Sequence, residues 1–269
     1  MIFTIFLSKL KNLVYLKNLE FDTFWDSHSL IFIPVINVDS VALINKDFDY
    51  YKDLRKNQKK VSNDPSCLQG VDLNRNYDIK WDGKEDPETT MPCSEVYRGS
   101  SPFSEPETQA VKNLVESYPN IISAMNFHCF GNLWIRPFNY VGKNEVDPMN
   151  TLPIARAYNY FEKAAPIARG GIVANALKAV NYPATGEASD WMLSKHNIFA
   201  WSPELGYNIK TNPDDKIEDF YVAQNVQYLS LYYDFPPINF FIEQHRPDFM
   251  VSIAKSEVSG AKGEVELLI

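Results

Sequence analysis

The sequence predicts an α/β fold, a sheet with helices on both faces, carrying a short β appendage at its C-terminus. Two observations carry the prediction. Leu30 to Asn37 (LIFIPVIN), Ile121 to Cys129 (IISAMNFHC) and the stretch from Asn197 to Leu205 are short apolar runs without strict alternation. Such runs suit strands buried on both faces. Segments with helical spacing lie between them, and alternation of the two element types argues for a sheet covered on both sides. The chain of 269 residues is 45% hydrophobic, enough to bury one large core.

Taken in order, Met1 to Leu16 repeats apolar residues at helical spacing (Ile2, Ile5, Phe6, Leu10, Leu13, Leu16) and reads as an amphipathic helix. Lys9, Lys11 and Asn12 interrupt it too soon for a membrane span, which needs about 20 largely apolar residues. A secretory leader would place its charge ahead of the apolar run, and here the charge follows it. The abrupt start suggests a chain that begins inside a domain. Leu30 to Asn37 reads as a strand entering a loop. Residues 44 to 96 are polar and aperiodic, a length of irregular chain that compact domains keep mainly for function. Ser104 and Glu107 form a capping-box pattern with Pro106 in the first turn, opening a helix to about Ser117. Ile121 to Cys129 is the second strand, with Asn132 to Arg136 as its continuation. Helices follow at roughly 151–165 and 170–179, then the strand in Asn197 to Leu205, then a long helix over Asp214 to Tyr233 that Pro236 and Pro237 stop. Beyond it, residues 236–269 hold two short strand patterns, an appendage or the start of a second domain.

Composition removes several classes of function. Lys and Arg number 26 against 34 Asp and Glu, a net charge of −8. With no basic block beyond Lys59-Lys60, the chain is a poor partner for nucleic acid or anionic membrane. Three cysteines without a C-x-x-C pattern are too few for a stapled miniprotein or a four-thiolate zinc knuckle.

Four places hold residues suited to chemistry. Gly70 to Tyr77 (GVDLNRNY) puts Arg75 between Asn74 and Asn76, and a guanidinium fork beside a side-chain amide matches a carboxylate. The ordinary alternative is a loop whose Asn and Asp bond their own backbone. His128 stands near the end of a strand, where α/β sheets gather ligands, although a lone histidine there is more often structural. Tyr182, on a loop with Pro183 and Gly186, has the setting of a mobile lid or of an ordinary surface aromatic. Glu204, in Trp201-Ser-Pro-Glu-Leu-Gly206, is a candidate base if desolvated, and otherwise a strand-end charge.

Taken together and in this order, the chain from about residue 1 to about 235 resembles the zinc metallocarboxypeptidases of the pancreatic A/B-like type (peptidase M14). The matching residues are Pro34 to Asp39, Arg55-Lys56-Asn57, Gly70 to Tyr77, Pro92 to Gly99 with Ser104-Glu105, His128, Tyr182 to Trp191, and Glu204. The resemblance implies a mixed, mostly parallel sheet of about eight strands, one Zn2+ ion and hydrolysis of the C-terminal peptide bond of peptides or proteins. Glu204 would be the general base and His128 a metal ligand. Asn74, Arg75 and Tyr182 would hold the substrate's terminal carboxylate, and Asp72 would orient another zinc-binding histidine. Cys67 and Cys93 would form a disulfide, with Cys129 free and a cis peptide at Cys129-Phe130. A monomer in a secreted or lysosome-like compartment is the expectation that follows.

Three departures qualify it. None of the four histidines (His28, His128, His196, His245) begins an H-x-x-E, the motif that supplies the family's other two zinc ligands. A catalytic zinc normally takes three protein ligands, so the expectation is a chain inactive as given, its missing ligands lying upstream. Gln58 stands where the family has the arginine that stabilises the oxyanion, which leaves Gln58, Arg55 or Lys59 as candidates for that task. Ser189 occupies the position that sets side-chain preference. Serine dictates no charge, so the sequence favours a neutral or apolar C-terminal residue, unless Glu187 points inward and adds its charge. Two alternatives remain: a non-catalytic relative that binds peptide C-termini, and a zinc amidohydrolase of N-acyl amino acids.

Overall fold

The computed structural model describes residues 29, 31–51, 53–84, 86–129, 133–164 and 172–205. The expected N-terminal helix, the helix over Asp214 to Tyr233, the C-terminal appendage and the Cys129-Phe130 peptide lie outside these residues. Helices α1 (Val38–Lys46) and α2 (Phe48–Tyr51) are followed by a long irregular stretch containing short 3-10 turns at Leu73–Arg75 and Pro87–Thr90. Next come α3 (Pro106–Ser117), β1 (Ser123–Met125), β2 (His128–Cys129), β3 (Leu133–Ile135), α4 (Ala155–Ala164), β4 (Ile172–Ala174), α5 (Ala176–Val180), α6 (Ala188–His196) and β5 (Phe199–Leu205).

The five described strands form one mixed sheet in the order β1-β5-β3-β4, with β2 also on β5. Strands β1 and β2 pair with β5 in parallel and keep one register, Ser123 opposite Phe199 and His128 opposite Glu204. They are two runs of the single strand expected at 121–129. Strand β3 runs antiparallel to β5 and parallel to β4. The sequence expectation made β3 a continuation of its predecessor, whereas it lies on the opposite side of β5.

Side chains alternate across a strand, and β5 uses the alternation to feed two cores. Phe199 and Trp201 pack with Trp134, Tyr158, Val173 and Leu193 on one face. Ala200 packs with Val111 and Val115 of α3 and with Ala188, Trp191 and Met192 of α6 on the other. The sheet is therefore covered on both faces, as alternation of strands and helices predicts.

Several local expectations are corrected. Leu30 to Asn37 forms no strand in its described part, and Ile31, Phe32, Ile33 and Val35 are exposed. A strand exists through its hydrogen-bonded neighbour rather than through its own apolar run, and no described strand pairs with this one. Asn37 instead caps α1, accepting from the Ser40 amide, with Asp39 in the first turn and Lys46 in the last. The capping box at α3 does not form either. Glu105 is the N-cap residue without a side-chain cap, and the Ser104 hydroxyl donates to Glu105 at 2.7 Å. The helix expected at 170–179 is divided between β4 and α5, because Ile172 to Ala174 pair with β3.

Candidate functional site

The Gly70–Tyr77 segment is pinned at both ends. Gly70 has φ +96, and a Cβ there would lie 1.8 Å from the Asn57 carbonyl oxygen, so only glycine fits that crossing. Asn57 accepts from the Val71 amide through its side chain at 2.8 Å. Farther on, the Tyr77 amide donates to Gly186 O at 3.0 Å, which ties the segment to the loop before α6. Cys67 and Cys93 are joined in a disulfide across the same irregular stretch, as the resemblance implied.

Arg75 is 3% exposed, its Nη1 donates to Asn74 O at 2.9 Å, and its Nε is buried without a hydrogen-bond partner. A buried guanidinium N–H with nothing to donate to is a fitting receptor for a carboxylate. Asn74 connects it to the rest of the site. Its Oδ1 accepts from the Ala188 amide at 3.1 Å, which directs Nδ2 toward His128 Nε2 and Glu187 Oε1, each at 3.3 Å. Asn126, at the break between β1 and β2, lies 3.0 Å from the same histidine nitrogen. Burial holds the His128 pKa below its ordinary value, working against the neighbouring Glu187 charge.

Glu204 faces His128 across the β2–β5 pairing. Burial raises its pKa, and Glu187 adds to the rise while Arg55 opposes it. Arg55 donates Nε to Asp72 Oδ2 at 2.8 Å, and its charge also acts on Tyr182 and Glu204. Asp72 is thus engaged twice, since its Oδ1 accepts the Asn74 amide at 3.0 Å. Tyr182 is half exposed on the loop between α5 and α6. The sequence-derived residues Asp72, Asn74, Arg75, His128, Tyr182 and Glu204 therefore share one neighbourhood with Arg55.

Gln58 and Lys59 are turned to other partners. Gln58 donates to Asn57 O at 3.2 Å, and Lys59 pairs with Glu105 at 2.7 Å. Ser189 is fully buried, and its hydroxyl donates to Glu187 at 2.5 Å. Asn126, Asn139 and Ser202 also border the site and carried no signal in the sequence. Asn139 comes to it only through the fold, because the turn after β3 packs on the start of α6.

Metal-binding capacity is short among the described residues. No three of His, Cys, Asp and Glu gather in them to hold an ion. His196 stacks on Trp191 instead, with ring centroids 4.6 Å apart. His128 by itself does not make a zinc site.

These features define an α/β protein with a buried arginine–asparagine pair beside a partly desolvated strand-end carboxylate. Comparison with known proteins places it more narrowly: the zinc carboxypeptidase family matches residues 4–226, and the chain belongs to that family. It is similar to mast cell carboxypeptidase A of Rattus norvegicus, 33% identical over 180 residues, covering 66% of this chain and 41% of that protein. Carboxypeptidase B of Bos taurus is 26% identical over 195 residues, covering 71% of this chain and 44% of that protein. The crystal structure of thrombin activatable fibrinolysis inhibitor shares the fold with a TM-score of 0.62 at 21% identity, over 96% of this chain and 58% of that one. The chain thus spans well under half the length of both curated relatives.

Proposed function

We propose that this chain serves a zinc-dependent metallocarboxypeptidase that hydrolyses the C-terminal peptide bond of peptides or proteins. The observation that carries the reading is the buried Arg75 with its unpartnered Nε, joined through Asn74 to His128 and placed near Glu204. Arg75 and Asn74 receive the terminal carboxylate and Tyr182 closes over it. This restricts cleavage to a chain end, because only an end supplies that anion. Glu204 takes a proton from the attacking water and passes it to the leaving amine, a task suited to a carboxylate whose pKa is raised toward neutrality. His128 is offered as one zinc ligand, and Asp72 holds Arg55 and the Asn74 amide in place. The charge of Arg55 beside Glu204 makes it a better oxyanion donor than Gln58. A secreted or lysosome-like setting accords with the disulfide.

A second reading, binding of peptide C-termini without turnover, draws on the incomplete set of metal donors among the described residues. One experiment on the full chain examines what the two share. A labelled peptide with a free C-terminus should bind, its C-terminal amide should bind at least about tenfold more weakly, and Arg75→Ala should erase the difference. Equal affinity for acid and amide would falsify the carboxylate receptor. Hydrolysis of the bound peptide in the presence of Zn2+ separates the enzyme from the binder.

A further inference from the structure

Glu187 is 3% exposed and lies inside the fold. Its Oε1 accepts from Asn74 Nδ2 at 3.3 Å and from the Ser202 hydroxyl. Its Oε2 accepts from the Ser189 amide at 2.8 Å, the Ser189 hydroxyl, the Asp190 amide at 3.1 Å and Asn139 Nδ2 at 3.2 Å. Asp190, also buried, accepts among the described residues from the Asn139 and Tyr140 amides and Asn139 Nδ2. Every one of these donors is neutral, and among the described residues no lysine or arginine pairs with either acid. Neutral donors satisfy a carboxylate's lone pairs but leave its charge uncancelled. Burial, with the Glu187 charge behind it, raises the Asp190 pKa well above the usual carboxylate range, so the charge of this pocket rests on Glu187.

The position of Glu187 relative to the carboxylate receptor is fixed. Gly186 has φ +67, and a Cβ on it would lie 2.2 Å from the Arg75 carbonyl oxygen, so the backbone leading into Glu187 is pressed against Arg75. Asn74 then bonds Glu187 directly. Thr185, next to that glycine, is fully buried with an unpartnered hydroxyl, as is Nε of Arg75. A residue whose carboxylate rests on Arg75 and Asn74 starts its side chain beside this acid. The surrounding groups are Ser189, Ser202 and Asn139 rather than aliphatic side chains.

We infer that Glu187 determines specificity and that the site takes peptides ending in a cationic residue, arginine or lysine. This rests on the reading of Arg75 and Asn74 as the carboxylate receptor, and it reverses the neutral or apolar preference that Ser189 suggested. Glu187 also caps α6, and that role alone would leave ligand charge without effect, which makes charge the variable to test.

The test measures binding of the full chain to four labelled peptides that differ only at the last residue: arginine, its neutral isostere citrulline, leucine, and arginine amide. Arginine should bind at least about tenfold more tightly than citrulline or leucine. In Glu187→Gln, which keeps the size and a cap acceptor, that advantage should fall below about twofold. Arginine within about threefold of citrulline in the wild-type chain overturns the inference, whatever the variant's ability to fold. Equal binding of arginine and its amide instead overturns the carboxylate receptor, and the inference with it.

Discussion

Glu204 and Asp190 show how position rather than residue type sets a carboxylate's chemistry. Both are pushed upward by burial and by the charge of Glu187, but Glu204 also meets Arg55, which draws its pKa back down. A base must be ionised to accept a proton, so turnover should rise with pH through a value above the ordinary glutamate range. In a form of the protein that holds zinc and turns substrate over, Glu204→Gln should abolish turnover while leaving peptide affinity within about threefold, because it removes a proton acceptor and not the receptor. Retained turnover in that variant removes Glu204 as the base. Asp190 makes the matching stability statement. Its folded pKa lies above the unfolded value, so the stabilisation linked to its proton is complete below the unfolded pKa and is lost as pH rises through the folded one. The unfolding free energy of the wild-type chain relative to Asp190→Asn should therefore decline from acid toward neutral pH. A difference that grows over the same range contradicts the raised pKa.

Strand β5 is the element on which the rest depends. It pairs with β1, β2 and β3, supplies Phe199 and Trp201 to one core and Ala200 to the other, and carries Glu204 next to its last residue. Alternation along it puts Ala200, Ser202 and Glu204 on one face. Ser202 bonds Glu187, so Glu187 and Glu204 meet the same side of the sheet. Trp201 is fully buried against Tyr158 and Trp134, with ring centroids 4.8 and 6.0 Å away. Trp201→Ala should cost about 3–5 kcal/mol of stability, read as a lower urea midpoint. A loss below about 1 kcal/mol means that the core closes around the gap and that β5 is less central than its pairing indicates.

For the molecule as a whole, the irregular stretch between α2 and α3 is held by a few long-range ties and little regular structure. The disulfide joins residues 26 apart. Lys56, fully buried, donates to the carbonyls of Leu68, Pro92 and Ser94, beside the two cysteines, at 2.7, 2.9 and 2.8 Å. Loop-closure entropy for such a span is worth about 3.5 kcal/mol. Replacing both cysteines by serine should lower unfolding free energy by about that amount, and should weaken peptide binding because Asp72 to Arg75 lie within the closed loop. Unchanged affinity would show that Lys56 and the Tyr77–Gly186 bond hold the segment without the bridge. Among the described residues no helix is long and apolar enough to cross a membrane.

The sequence by itself determined the kind of fold and picked out residues that the structure brings into one neighbourhood. Apolar runs must be buried, which gave β5 and the paired β1 and β2, and the order Arg75, His128, Tyr182, Glu204 carried the family. It misplaced Leu30 to Asn37, since an apolar run states a wish for burial but not the neighbour that satisfies it. It also passed over α6, whose Ala188–His196 stretch shows almost no one-sided periodicity because it is buried by both cores. Only tertiary structure could decide the direction of Glu187, the engagement of Asp72 by Arg55, and the approach of Asn139 and Ser202 to the pocket. Those contacts join residues as far as 113 positions apart, as between Asn74 and Glu187. Chemistry follows from distance and burial, and neither is written in the spacing of residues along a chain.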